Sequence, residues 1–415
     1  MKIILFALVS IGLALTGCQA PATQSNNSAA ANSAANTNAS KPDAAKASAP
    51  TDMKSLAAKI VNQSAAVKEG EIVLISGSAR DMDLLENLVT EVQKVGGEPL
   101  LTIGSEKMAK RSYTDVPEKY DTQEPKLGMA LARMANVSIT VDGSETESAL
   151  ADIPPARIAA RGKTGSPVNA EFIKNKVRSV NIGNDLYPTE WRAKRFDMPL
   201  DGFAKLFWDG VNTDYTTLQA TGEKARAAMA GKEIEITHPN GTSLKANLDS
   251  KRAYISDGVI SGDDVANGNF NVYLPAGEAA VVTAAGSGTG KFVIEKDFFQ
   301  GKEMHNVVLN FENGKLTSMT GEGDGFAAMK ASYDAFGEGK DLLGYVDIGI
   351  NPSYTLAPSS KLGNWVSAGM VSIGSGNNSW AGGSNNSAGS AGGHLAGCTV
   401  KIDGKTVVEN GVLKL

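Results

Sequence analysis

The chain reads as an α/β globule, with an N-terminal domain built on a parallel sheet and a β-rich α+β domain after it. Between residues 53 and 220, short apolar runs alternate with amphipathic helical stretches, the pattern of strands joined by helical crossovers. After Gly231 the texture changes to period-two alternation. It is punctuated by Asn240-Gly241, Asn313-Gly314, Asp403-Gly404 and Asn410-Gly411, dipeptides that favour hairpin turns. A third feature is a tract of Gly, Ser and Asn that lies between strand-like segments and closes on GGHLAGC. Glycine there allows backbone to pass close to something else.

In order, Leu56, Ile60 and Val67 suggest a helix from Met53. Glu71 to Gly77 (EIVLISG) reads as a buried strand, and Asp83 to Val95 as a helix with Leu84, Leu85, Leu88, Val89 and Val92 on one face. Gly96-Gly97 stops that helix. Glu98 to Gly104 is the next strand, Leu127 to Met134 a helix, and Val137 to Gly143 a third strand. Strands alternating with helices imply a parallel sheet covered on both faces. Two more helical stretches follow, around LDGFAKLFWDG and from Tyr215 to Ala230, and the division falls at 220/221.

The first residues read as an address. Met1-Lys2 supplies positive charge, and Ile3 to Leu15 is an apolar run too short for an ordinary membrane span. It ends in Leu15-Thr16-Gly17-Cys18, which resembles a bacterial lipobox. That implies a lipoprotein signal peptide over 1–17, cleavage before Cys18 and acylation of its thiol; an ordinary secretory signal is the alternative. By resemblance to lipoprotein sorting, Gln19 favours the periplasmic face of the outer membrane. Residues Ala20 to about Pro50 are mainly Ala, Ser, Asn, Thr and Pro with almost no large apolar group, so 18–52 reads as a disordered tether. The partners this implies are a membrane through lipidated Cys18 and no nucleic acid, since the net charge is −5. Cys398, the only other cysteine, reads as a small buried hydrophobe.

A more specific signal begins at Asn271 to Glu278 (NVYLPAGE). Upstream stand VKEGEIVLI (from Val67), YPT (from Tyr187) and PNGTSL (from Pro239). Downstream stand GYVDIGINP (from Gly344), GMVSIGSGNN (from Gly369) and the run to His394. Seven segments in this order resemble the M29 (thermophilic) metallo-aminopeptidase family. The resemblance implies an α/β domain followed by a β-rich domain that dimerises and holds two divalent ions. Such ions polarise a peptide carbonyl and activate a bridging water, and their ligands are Asp, Glu and His.

Position by position, the family's first ligand, a glutamate, matches Glu278. A glutamate after a glycine is replaced by Tyr345, and a histidine by Ser372. A tyrosine near the glycine-rich loop appears as Trp380. The late histidine matches His394, and its aspartate partner is Ala396. Two of six metal-site positions therefore persist. A catalytic zinc site keeps about three protein ligands, so Glu278 and His394 alone are too few.

Two readings follow. In the first, this is a lipid-anchored cell-envelope protein on the aminopeptidase-like scaffold: a non-catalytic binding or assembly protein, a homodimer with a possible peptide ligand and no cofactor. In the second, it is a metal-dependent aminopeptidase with a rearranged site. There Asp347, Glu322 or Asp324 completes the ligand set for two ions of zinc, cobalt or manganese. The first is adopted, because four ligand losses are hard to compensate.

Other chemistries are weaker. SGSAR after Ile75 lacks the dinucleotide-binding glycines, and AAGSGTGKF (from Ala284) departs from a P-loop at Ala285 and Phe292. AGSAG (from Ala388) lacks the strand–turn–helix setting of a serine nucleophile. GEGDG (from Gly321) reads as a solvated turn or a weak calcium loop. His238 and His305 read as structural or surface histidines. Trp191, Trp208, Trp365 and Trp380 look too scattered to form a platform.

Overall fold

The computed structural model describes residues 52–249, 253–387 and 389–415. The expected signal peptide, Cys18 and all but the last residue of the expected tether lie outside the described residues, as does Ala388. No helix among the described residues is long and apolar enough to cross a membrane.

The N-terminal half carries a five-stranded, wholly parallel sheet. Its order is Glu98–Gly104, Ile72–Ser78, Val137–Val141, Arg178–Ile182 and Asn271–Leu274. Val73, Ile75, Val137, Ile139 and Val180 are fully buried, as strands covered on both faces require. The helix Met82–Lys94 packs Leu84, Leu85, Leu88 and Val92 into the same core. Local chemistry sets the helix ends. Ser105 accepts from the Met108 amide (3.1 Å) to start Glu106–Thr114, and Asp214 accepts from the Thr216 amide (3.1 Å) to start Tyr215–Met229.

Two elements carry no clear sequence signal. The helix Pro155–Lys174 contains Gly162, Gly165 and Pro167, which obscure its period, and the strand Arg178–Ile182 has only two apolar residues. Tertiary packing overrides local propensity in both. The fifth parallel strand comes from Asn271–Leu274, past residue 220, so the chain returns to the first sheet before building the site.

The C-terminal half holds two antiparallel sheets. One is eight-stranded, running from Lys315–Glu322 at one edge to Val412–Leu413 at the other. Its Asn313-Gly314, Asp403-Gly404 and Asn410-Gly411 turns have positive φ at both residues, the geometry that matches strand twist. Asn240-Gly241 differs: only Gly241 is left-handed, and the loop from His238 to Thr242 is closed by their mutual backbone bond at 3.1 Å. AAGSGTGKF runs from the connection after the strand Glu278–Val282 into the strand Thr289–Phe299, which holds its last four residues.

The third sheet positions the candidate site. Its order is Ser390–Leu395, Val371–Gly376, Leu343–Gly349, Glu278–Val282 and Tyr254–Ser256. One hydrophobic core is continuous through all three sheets. It includes Cys398, whose thiol is pushed up by burial, as expected of a small buried hydrophobe.

Candidate functional site

Successive side chains of a strand point to opposite faces, so the register of the third sheet decides what meets what. Val281, Val346, Ile348, Val371 and Leu395 turn into the core. The opposite face carries an unbroken cross-strand row, in which Tyr254 pairs with Ala280, Ala280 with Asp347, Asp347 with Ser372 and Ser372 with His394. One step along, Val282, Tyr345, Gly374 and Gly392 form the next row. Two residues from Ala280 on the other side, Glu278 pairs with Gly349 and Ser256.

These rows floor a cleft lined by Glu278, Tyr345, Asp347, Ser372, Trp380 and His394, together with Trp365. Its free volume, about 20 Å³, is on the scale of one water molecule. Aromatic rings take up the rest. Trp380 meets Tyr345 edge-on at 4.9 Å and Tyr254 at 5.6 Å, and Trp365 packs on the His394 ring at 5.0 Å. Each such pair contributes roughly 0.5–1.5 kcal/mol beyond its buried area. Gly374 makes the arrangement possible. A Cβ at Gly374 would lie 2.5 Å from the Tyr345 ring, so the phenol lies across bare backbone.

The polar groups are held as tightly. Ser372 Oγ and His394 Nδ1 share a hydrogen bond of 2.7 Å. Trp365 Nε1 donates to Asn184 Oδ1 at 3.0 Å, tying the cleft to the segment after the fourth parallel strand. Glu278 and Asp347 are both buried. Their charge is felt by the neighbouring phenols: burial, then Asp347 and Glu278, hold the Tyr345 hydroxyl well above the ordinary tyrosine range. Burial and then Glu278 do the same to Tyr254, and push Tyr273 up to about 12.

The GINP turn is a structural clamp. Asn351 is fully buried, and its amide nitrogen donates to the carbonyls of Gly210 (3.0 Å) and Ala276 (2.6 Å). Its oxygen accepts from the amides of Ser353 (2.9 Å) and Tyr354 (3.1 Å). Gly277, beside Glu278, has φ +131°, and a Cβ there would lie 2.4 Å from that of Asn351. The turn therefore fixes where Glu278 enters its strand.

Of the residues singled out from sequence, Glu278, Tyr345, Ser372, Trp380 and His394 converge on one cleft, and Asp347 joins them. Ala396 is buried but is not among the lining residues. Glu322 ends a strand of the eight-stranded sheet and Asp324 begins the next helix, and neither lines the cleft. His238 accepts from the Asn240 amide at 3.1 Å, and the half-exposed His305 lies 3.5 Å from Glu303, so both are structural or surface histidines. The tryptophans are not all scattered, because Trp365 and Trp380 wall the same cleft. Trp365 sits in an irregular segment where no period marks it, and its role is set by the fold alone. Among the described residues, no group of three or more His, Cys, Asp or Glu is placed to hold a metal ion.

The family model described as thermophilic metalloprotease (M29) matches residues 50–344. That match stops one residue short of Tyr345. No curated protein matches the chain. Among solved structures, wild-type AmpT from Thermus thermophilus superposes with a TM-score of 0.66 at 16% identity, covering 88% of this chain and 99% of that one. The 2,5-dihydroxypyridine dioxygenase from Pseudomonas putida KT2440 superposes with a TM-score of 0.54 at 12% identity, covering 88% and 98%. At these identities the likeness is one of fold, and a fold shared with a protein titled a dioxygenase does not fix a reaction.

Proposed function

The chain belongs to the thermophilic metalloprotease (M29) family, and from that premise we propose that it is a non-catalytic member, a lipid-anchored binding or assembly protein of the cell envelope. The observation that carries this reading is the chemistry of the cleft lining. At the position where the family resemblance calls for a histidine ligand stands Ser372, whose hydroxyl engages His394 Nδ1. Where it calls for a carboxylate stands Tyr345, a phenol kept in its neutral form by burial and by two nearby acids. Trp380 offers no oxygen. Glu278, Asp347 and His394 are left as ionic or imidazole donors, and two divalent cations need more. The donor set does not fit a two-ion centre, and no hydrolytic step is derived through one. The tight aromatic packing supports the same view, since free space on the scale of one water leaves little room for a scissile bond between the rings.

The rest of the proposal comes from sequence. Acylated Cys18 anchors the chain at the membrane, the segment to residue 52 tethers the globule, and two copies associate through the β-rich half. A second reading, a metal-dependent aminopeptidase with a rearranged site, draws on one observation, the presence of Asp347 in the cleft beside Glu278 and His394.

The experiment is a panel of aminoacyl substrates supplied with zinc, cobalt or manganese. The expected result is no turnover above background. Turnover abolished by Glu278→Ala would establish the second reading instead. In the same cells, Cys18→Ser is expected to release the protein from the membrane fraction; retention there would refute the acyl anchor.

A further inference from the structure

A second small cavity lies on the parallel sheet, and it shares no lining residue with the cleft. Its floor is a cross-strand row: Ser138 pairs with Ser179, and Ser179 with Asn271. Its roof is the helix Pro155–Lys174, which contributes Asn169 and Phe172, and Phe270 closes one side. Three polar residues in register on adjacent strands are unusual under a covering helix, where such sheets are ordinarily apolar. Two of the lining atoms, Ser138 Oγ and Asn169 Oδ1, are buried and have no hydrogen-bond partner in the protein. Ser138 is only 4% exposed. Leaving such an atom unsatisfied costs about 1–3 kcal/mol, and buried polar atoms are ordinarily paired with protein or water.

We propose that this cavity is a binding site for a single hydroxyl group bridging Ser138 and Asn169. A hydroxyl both donates and accepts, so it satisfies the serine and either orientation of the Asn169 amide. Neither a carboxylate nor an ammonium fits, because no ionic residue lines the cavity to offset a buried charge. The free volume, about 20 Å³, admits a group the size of one water, which excludes a bulkier head. Where an alcohol supplies the hydroxyl, its stem must lie beyond that volume, along the apolar Phe172, Phe270 and Ile173 of the lining. The mouth lies at Ile173, which is 43% exposed. The hydroxyl therefore comes from water or from the end of a small alcohol.

Double-mutant analysis of the full chain tests this. Ser138→Ala and Asn169→Leu are each expected to lower the melting temperature by about 2–4 °C. The double variant should fall by clearly less than their sum, because both remove the same bridge. A high-resolution crystal structure should show one oxygen within hydrogen-bonding distance of both side chains. Propane-1,2-diol distinguishes the sources. A saturable rise in melting temperature that Ser138→Ala abolishes assigns the site to a small alcohol, and no rise with the bridging oxygen present assigns it to water. Additive effects of the two substitutions, or a dry cavity in the crystal, would overturn the proposal.

Discussion

Ser372 Oγ lies 2.7 Å from His394 Nδ1, on adjacent strands and in direct register. A neutral hydroxyl thus occupies one nitrogen of the only imidazole that lines the cleft. Ser372 is also in register with Asp347 on its other side. The row holds an acid, a hydroxyl and an imidazole side by side, and the hydroxyl stands in the middle.

On the proposed reading, Tyr345 and Ser372 supply too few donors to hold metal, and replacing them with ligands should confer binding. Loss of even an outer-shell partner costs about 10–100-fold in metal affinity, so adding two direct ligands should act at least as strongly. Tyr345→Glu combined with Ser372→His is expected to raise zinc affinity by at least about tenfold, read by competition with a chelating dye. Removing the Tyr345 ring also frees the space over Gly374. An affinity unchanged in a double variant that keeps its circular dichroism would mean that the scaffold, and not the ligand set, excludes the ion.

The buried phenols give the protein an alkaline weakness. Tyr345 titrates well above its ordinary value of 10.0 in the folded chain because of burial, Asp347 and Glu278. Once unfolded it releases its proton near 10.0. Between those two values the native state binds more protons than the unfolded state, so stability falls as pH rises. Urea midpoints are expected to drop from about pH 10 upward, and Tyr345→Phe should make that drop shallower. An equally steep drop in the variant would show that this phenol is not held above its ordinary value in the folded chain.

The Asn351 clamp makes four side-chain hydrogen bonds inside the core. Asn351→Ala leaves the carbonyls of Gly210 and Ala276 and two backbone amides without their side-chain partner. The expected loss is about 2–4 kcal/mol in chemical denaturation. A change within about 0.5 kcal/mol, as for an ordinary surface substitution, would remove the turn from the elements that hold Glu278 in place.

How much of this could be read in the chain differs from place to place. The strands of the first sheet announce themselves because parallel strands buried on both faces become apolar runs, as in Val73 to Ile75. The hairpins announce themselves because Asn313-Gly314, Asp403-Gly404 and Asn410-Gly411 need left-handed backbone. The helix Pro155–Lys174 is hidden because its glycines and Pro167 interrupt the period, and packing against the sheet carries it instead. At the site, Glu278, Tyr345, Ser372, Trp380 and His394 were legible through family segments in order. Asp347 matches no family ligand position, yet strand parity puts it on the same face as Tyr345. Trp365 was not legible, since its place against His394 depends on how an irregular loop returns to the sheet.

The proposed absence of a two-ion centre is tested most directly by the metal content of the purified full chain. Elemental analysis after dialysis against metal-free buffer is expected to find well under one zinc, cobalt or manganese ion per chain. Two tightly held ions per chain would contradict it.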